Sequence, residues 1–312
     1  MQYLNIDYKN LNLKEEICLT IGNFDGIHNG HNKIIEKLNQ EAKSLYAKSA
    51  ILSFDPHPNF FFNKSSKFLI NSKQKKIHIL EQKKIDYLID LYFNQELTRL
   101  SYNDFQEKIL FENLKIKKIL IGNDFRYGHQ RMGNIETLKS FCEKKSILFE
   151  NINLIVDDQN TKISSTQIRE FLSLGKIKEA NTLLENPFSI KGLVKKGDQR
   201  GRTIGIPTAN IDYPENIIQL PFGVYAVKIK VQDLEDYFFG IVNFGIRPTF
   251  DKSISVVEAH IFDFDQDIYE KDIEIFFEHK IRDEKKFNGI KELLNQITLD
   301  INIAKEELNY GN

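Results

Sequence analysis

Single hydrophobic cores stop growing near ~250–300 residues, so a chain of 312 residues with 41% hydrophobic and 12% aromatic content has material for two domains and is not a disordered protein. The 43 basic and 44 acidic side chains leave a net charge of −1, which excludes an overall cationic field for nucleic acid or an anionic membrane. Two cysteines, Cys18 and Cys142, cannot staple such a chain or make a four-cysteine zinc site, and their scarcity points to a reducing, cytoplasmic setting. Met1 to Asp7 contain neither the basic nor the apolar part of a signal peptide. No apolar run approaches the ~20 residues of a membrane helix.

Along the first half, strand-like and helix-like segments alternate. Ile17 to Ile21 is a short apolar run ending at Gly22, and Ile34, Ile35 and Leu38 then recur at helical spacing. Further strands are expected over Ala50–Phe54, Ile85–Ile89 and Ile116–Ile121, with helices around 73–83, 101–113 and 134–145. Such alternation implies βαβ units and a parallel sheet, whose ligands bind beyond the carboxyl ends of the strands. The loops after Gly22, Phe54 and Gly122 are therefore where chemistry is expected. After Asn186-Pro187 the period changes. Tyr225, Val227, Ile229 and Val231 alternate with Lys228 and Lys230, and more short strands are expected at 237–243, 254–262 and 272–278, giving a small antiparallel barrel or sandwich. Phe287, Ile290, Leu294, Ile297, Ile301, Ala304 and Leu308 then form one helical stripe, read as a helix packed on its own domain. The expected domains are residues 1–184 and 185–312.

Gly22-Asn23-Phe24-Asp25-Gly26-Ile27-His28-Asn29-Gly30-His31 leaves the first strand and enters the first helix. Glycines allow close approach of the backbone to a ligand, and the helix N-terminus offers amide hydrogens to an anion. His28 and His31 share a helix face, where imidazole donors would stabilise charge on an α-phosphate and a departing pyrophosphate. A metal-binding pair or two incidental surface histidines are the competing readings, but for a metal pair the third ligand and the carboxylate of H-E-x-x-H are missing. In the second half no Walker P-loop occurs. Instead, Lys195 to Asn210 carries three glycines and four cationic residues ahead of Pro207-Thr208-Ala209-Asn210. Thr208 and Asn210 are two apart, so both point to one face of a strand, as hard oxygen ligands suited to Mg²⁺ held with nucleotide phosphates. In Ser255 to Phe262, Glu258 and His260 share a face; Glu258 is either a general base for a hydroxyl or a structural ion-pair partner, and His260 is read as structural.

These segments resemble the HxGH nucleotidyltransferases, specifically the bacterial bifunctional riboflavin kinase/FAD synthetases. Ser53 to Pro58 looks like the family's FxPHP motif, Ile121 to Gly128 its GxDFRFG, and Lys162 to Arg169 its ISSTxIR. Arg202 to Asn210, Val242 to Thr249 and the Val257–Phe262 strand look like its GRxxGxPTAN, NFGxRPT and VExHIxDF segments. The resemblance runs from about residue 16 to 308 and implies an N-terminal Rossmann-like nucleotidyltransferase domain with a parallel sheet. The second domain it implies is a small antiparallel β-barrel ending in a long α-helix. It further implies phosphorylation of riboflavin to FMN by ATP, then adenylylation of FMN to FAD with release of pyrophosphate. By it, Gly22, Asn23, Phe24, Asp25, Gly26, Gly30, Asp124, Lys162, Ser164, Ser165, Thr166 and Arg169 bind nucleotide with His28 and His31 as catalytic groups, and Asp55, His57 and Arg126 contact flavin. In the kinase half, Lys196, Gly197, Arg202, Gly205 and Pro207 border the ATP phosphates, Thr208 and Asn210 hold Mg²⁺, Glu258 activates the riboflavin 5′-hydroxyl, and Arg282 lies near the flavin. Ile206 departs from the phenylalanine common in the family. The expected partners are riboflavin, FMN, FAD, ATP, ADP and pyrophosphate, with neither nucleic acid nor membrane, in a monomer or weak homo-oligomer. The competing functions are a single-activity nucleotidyltransferase with a ligand-sensing second domain, and a flavin-binding regulator or RNA-associated protein without catalysis, the RNA version being disfavoured by the near-zero net charge.

Overall fold

The computed structural model describes residues 1–63, 66–152, 163–196, 205–248 and 253–311, with backbone alone at 247–248 and 253–254. The chain forms two compact units, residues 1–66 with 73–165, and residues 67–72 with 166–312.

In the first unit six strands run parallel: β1 (Gln2–Ile6), β2 (Glu16–Ile21), β3 (Lys48–Asp55), β4 (Tyr87–Tyr92), β5 (Lys115–Gly122) and β6 (Leu148–Ile152), in the spatial order β1-β4-β3-β2-β5-β6. The helices are α1 (Asn29–Ser44), α2 (Pro58–Asn63), α3 (Lys73–Gln82), α4 (Gln95–Arg99), α5 (Tyr102–Phe105) and α6 (Ile135–Lys144). The central strands are buried on both faces, which explains their near-continuous apolar sequences. Cys18, Ile51, Leu88 and Leu120 pack with Ile34, Ile35 and Leu38 of α1 and Ile79 and Leu80 of α3. Leu19, Leu52, Ile89 and Ile119 pack with Leu138, Phe141 and Cys142 on the other side. Burial pushes the Cys18 thiol up to about 11 and that of Cys142 to about 12. Chain order reverses between β2 and β5, so the loops after these two strands flank the topological switch point.

The expected strand at 85–89 starts two residues later. Ile85 N donates to Leu80 O at 3.2 Å and Lys84 has φ 57°, so the apolar Ile85 closes the turn after α3. The edge strands β1 and β6 escape sequence reading because each is five residues long and only half-buried, without a clean period.

The second unit holds α7 (Ser165–Ser173, from Thr166 onward), α8 (Ile177–Leu183), strands β7 (Ser189–Leu193), β8 (Ala209–Asp212), β9 (Gly223–Val231), β10 (Tyr237–Pro248), β11 (Ser253–Ile261) and β12 (Asp272–Asp283), and α9 (Ile290–Glu307). The antiparallel order is β7-β12-β9-β10-β11-β8. Lys195 N donates to Asn210 O at 2.8 Å just beyond β7, bringing the first and last strands together as a nearly closed barrel. Tyr225, Val227, Ile229, Phe244, Val257 and Phe277 fill its interior. On the outer face Val224, Ala226 and Ile241 are covered by Ala304 and Leu308 at the α9 end of the chain. The helical stripe differs from expectation in two places. Ile290 opens α9 and is 64% exposed, and Asp300, within the stripe, is buried. Residues 67–72 also belong to this unit: Phe68 N and Leu69 N donate to Asn216 O, and Ile218 N donates to Leu69 O.

Candidate functional site

The first candidate site lies at the carboxyl ends of β2, β3 and β5. Between β2 and α1 the chain turns through Phe24 (φ 50°), Gly26 (φ 85°) and Ile27 (φ 26°). A β-branched residue in that region is strained, and it is held there with Ile27, Asp25 and His28 all buried. His28 is the N-cap of α1: its Nδ1 accepts from the backbone N–H of Gly30 (3.1 Å) and His31 (3.3 Å). His31 Nδ1 accepts in turn from His28 N at 3.4 Å, completing a capping box made of two imidazoles. The rings stack with centroids 3.8 Å apart, and Phe24 lies 4.7 Å from His31. With each Nδ1 accepting an amide hydrogen, the neutral tautomers carry their proton on Nε2. The helix start thus presents two parallel imidazole N–H donors. A Cβ on Gly30 would come within 3.0 Å of the His28 ring, so only glycine leaves the pair undisturbed. Ser165, at the start of α7, donates through Oγ to Asp25 O at 2.8 Å, which ties the serine segment to the histidine loop. Thr166 is exposed, and Arg169 places its guanidinium 3.7 Å over the Phe68 ring with Nε donating to Phe68 O at 2.9 Å. Lys162 lies outside the described residues. Asp124 and Arg126 follow β5 and are exposed.

Beyond β3, Asp55 Oδ2 accepts from Lys73 Nζ (2.7 Å) and Asn5 Nδ2 (3.1 Å). Burial opposes the charge on Lys73, but hydrogen bonds to Asp55 and Tyr3 raise its pKa on balance. Beneath this pair Ser53, Lys76 and Tyr3 converge on the buried carboxylate of Asp90, and burial with the charge of Asp90 pushes Tyr3 up to about 12. His57 Nδ1 accepts from Asn59 N at 3.1 Å at the start of α2. The same loop carries a group that sequence reading missed. Phe54, Phe61, Phe62 and Phe93 meet edge to face with centroids 5.3–5.8 Å apart, and Phe62 is 64% exposed. An exposed aromatic shelf beside polar groups suits a flat ring system. The run Phe60-Phe61-Phe62, one residue beyond Pro58, was the available signal.

In the second unit, Thr208 and Pro207 line a cleft with Phe264, Asp267 and Tyr269. Lys196 Nζ lies 5.8 Å over the Tyr269 ring, and Gly205 has φ 79°. Gly197 and Arg202 lie outside the described residues. His260 bonds to Pro207 O through Nδ1 at 2.8 Å, anchoring the strand entry. Asn210 is 8% exposed: its Nδ2 reaches Thr208 O at 3.4 Å, while its buried Oδ1 has no hydrogen-bond partner among the described residues. Register then aligns residues far apart in sequence. Glu258 of β11 lies opposite Asn210 of β8 and Asn243 of β10; Asn243 lies opposite Val224 of β9, and Val224 opposite Arg282 of β12. Directly opposed residues share a face, so one row runs across the outer side of the barrel. At its far end Arg282 is clamped by Asp300, with Nε 3.0 Å from both carboxylate oxygens and Nη2 2.8 Å from Oδ2, while Nη1 donates to Asp283 O. Gln296 also donates to Asp300 at 3.0 Å. Most of the donors of Arg282 are therefore engaged within the protein. Asp300 gave no sequence signal, because an acidic residue on a helix is read as solvated.

Residues 11–167 match the family model described as FAD synthetase, and residues 184–308 match the one described as riboflavin kinase. The chain is 40% identical over 295 residues to the bifunctional riboflavin kinase/FMN adenylyltransferase of Buchnera aphidicola subsp. Schizaphis graminum, covering 94% of each chain. It is 36% identical to the protein of that name from Bacillus subtilis (96% of each) and 31% identical to that from Escherichia coli K12 (94% and 93%). Among solved structures, one described as a macrolide-efflux protein from Streptococcus pneumoniae superposes with a TM-score of 0.87 at 26% identity, over 98% of this chain and 99% of that one.

Proposed function

The chain belongs to the bifunctional riboflavin kinase/FMN adenylyltransferase family, and from that premise we infer how the two domains expected from the sequence divide a two-step synthesis of FAD from riboflavin and ATP. Residues 185–312 phosphorylate riboflavin, and residues 1–184 adenylylate the resulting FMN. In the first step Glu258 accepts the proton of the riboflavin 5′-hydroxyl as that oxygen attacks the terminal phosphorus of ATP, and the bond from that phosphorus to the bridging oxygen breaks to release ADP. Thr208 and Asn210 would hold Mg²⁺; the Oδ1 of Asn210, without a hydrogen-bond partner among the described residues, is the hard oxygen such an ion requires, and ATP phosphates and water would supply the other ligands. The ion would neutralise phosphate charge. Among the described residues no group of three His, Cys, Asp or Glu could hold a metal ion by itself.

In the second step the FMN phosphate, already anionic, attacks the α-phosphorus of ATP, so positioning and charge stabilisation outweigh the need for a base. The Nε2–H groups of His28 and His31 donate to oxygens of the α-phosphate and departing pyrophosphate. The N-terminus of α1, with Ser164 and Ser165, supplies further N–H and O–H donors. The isoalloxazine ring rests on the shelf of Phe61, Phe62 and Phe93, beside Asp55 and His57. The stacked imidazole pair is the observation that carries this half: a capping box needs only an acceptor at its third helical position, commonly Glu or Gln, and here that acceptor is a second imidazole.

The efflux description of the Streptococcus pneumoniae structure is not carried over: among the described residues no helix is long and apolar enough to cross a membrane. Two fully buried thiols support a cytoplasmic setting. Incubation with riboflavin, ATP and Mg²⁺, followed by chromatography, tests the reading. FMN appears first and FAD follows, both stop with EDTA, and calorimetry finds two saturable ATP sites. A single nucleotide site, or FAD formed without any intermediate FMN, sinks it.

A further inference from the structure

We propose that Asn243 binds the inner hydroxyls of the acceptor's sugar-alcohol chain and makes the kinase site selective for a polyol over a plain alkyl alcohol. The inference rests on the reading of Glu258 as base and of Thr208 and Asn210 as the cation side. Asn243 lies directly opposite Glu258, so the two Cβ atoms are about 5 Å apart on one face. Among the described residues its exposed carboxamide makes no hydrogen bond, although it sits mid-strand between the half-buried Glu258 and the buried Val224. The next residue on that face of β10 is Gly245, and Asn243 Nδ2 is 3.9 Å from where its Cβ would be. The Glu284 carboxylate lies over the same glycine, with Oε1 2.7 Å from that point, so the donor end of the amide borders an acidic side chain there.

The direction of the substrate follows from the row. Phosphoryl transfer needs attacking and leaving oxygens roughly in line through phosphorus, so donor and acceptor approach from opposite sides. The cation ligands Thr208 and Asn210 stand on the β8 side of Glu258, which places the triphosphate there. The alcohol must then lead away toward β10. An extended five-carbon chain spans about 6 Å, and neighbouring strands are about 4.8 Å apart. A chain whose terminal hydroxyl meets Glu258 thus lays its inner hydroxyls across Asn243. A carboxamide both donates and accepts, which matches vicinal hydroxyls, and it does so without placing a cation beside the base.

The test compares riboflavin with an isoalloxazine bearing a 5-hydroxypentyl chain, which keeps the nucleophile and lacks the inner hydroxyls. The full-length protein is expected to favour riboflavin in kcat/KM by about tenfold, the scale of one net hydrogen bond. In Asn243→Ala that preference falls toward unity because riboflavin turnover drops, while turnover of the hydroxypentyl compound is unchanged. Equal preference in the two proteins, equal loss for both substrates, or no preference in the unsubstituted protein would each overturn the proposal. Thermal melting and FMN adenylylation report whether the variant is folded; should Asn243→Ala fail there, Asn243→Val, which suits a strand, is read in the same way. Glu258→Gln separates the levels. If it still phosphorylates riboflavin, the underlying site reading fails, whereas loss of activity with undiminished selectivity in Asn243→Ala removes only the polyol contact.

Discussion

The two candidate sites are assembled by opposite means. In the first unit a single stretch of ten residues, Gly22 to His31, supplies the turn, the cap and both imidazoles, and helix geometry alone brings His28 and His31 together. In the second unit Asn210, Glu258 and Arg282 come from three different strands, and only antiparallel register aligns them. The lesson is that helix-terminal sites are local and sheet-face sites are not. The first reuses backbone groups that every helix leaves unpaired, and the second relies on side chains whose partners are set by the closure of the barrel.

The widest separation between the sites is expected from Glu258→Gln, which should lower FMN formation roughly a thousandfold, the scale of a lost general base, while supplied FMN is still converted to FAD. His28→Asn should lower FAD synthesis by about a hundredfold, typical for a lost transition-state donor, with riboflavin phosphorylation retained. Asparagine is a good N-cap, so α1 should remain intact by circular dichroism; equal FAD synthesis in this variant would reduce His28 to a cap. Asp300→Asn breaks a buried clamp on Arg282, and about 3 kcal/mol of stability should be lost from the second unit. Riboflavin phosphorylation should then fail on warming before FMN adenylylation does; simultaneous failure would show the two units melting as one. Gly30→Ala should slow FAD synthesis about tenfold, since its methyl meets the His28 ring at 3.0 Å and a small misplacement there costs positioning.

The smallest expected effect concerns pH. Cys18 and Cys142 titrate near 9.0 when unfolded and are raised to about 11 and about 12 by burial. Their contribution to stability is complete below pH 9 and is lost as pH rises through those folded values. The melting temperature of the unsubstituted protein should therefore fall more steeply between pH 9 and 12 than that of a Cys18→Ala, Cys142→Ala double variant. Parallel curves would mean that the thiols are not sealed as the core packing indicates.

Much of the fold was legible from the chain. Apolar runs such as Ile17–Ile21 and Ile116–Ile121 marked central parallel strands because both of their faces are buried, and the Tyr225–Val231 alternation marked a strand with one face buried. Reading failed at β1 and β6, where edge strands pack on fewer neighbours, and at Ile85, where an apolar residue serves a turn. Phe61, Phe62 and Asp300 were missed, and Asn243 was read only as part of the Val242–Thr249 segment, for a shared reason. Each acquires its meaning from a neighbour distant in sequence: Phe93 for the shelf, Glu258 for the row, Arg282 for the clamp.

Amino-acid order by itself settled two domains, the class of each sheet and the loop that caps α1, because periodicity and capping are properties of contiguous residues. Folding in three dimensions decided which faces of the barrel strands look outward, that Arg282 is held by a buried carboxylate, and that Asn210, Glu258 and Asn243 stand side by side. Those outcomes depend on strand register and barrel closure, which arise from summed packing over many residues and leave no trace at any single position.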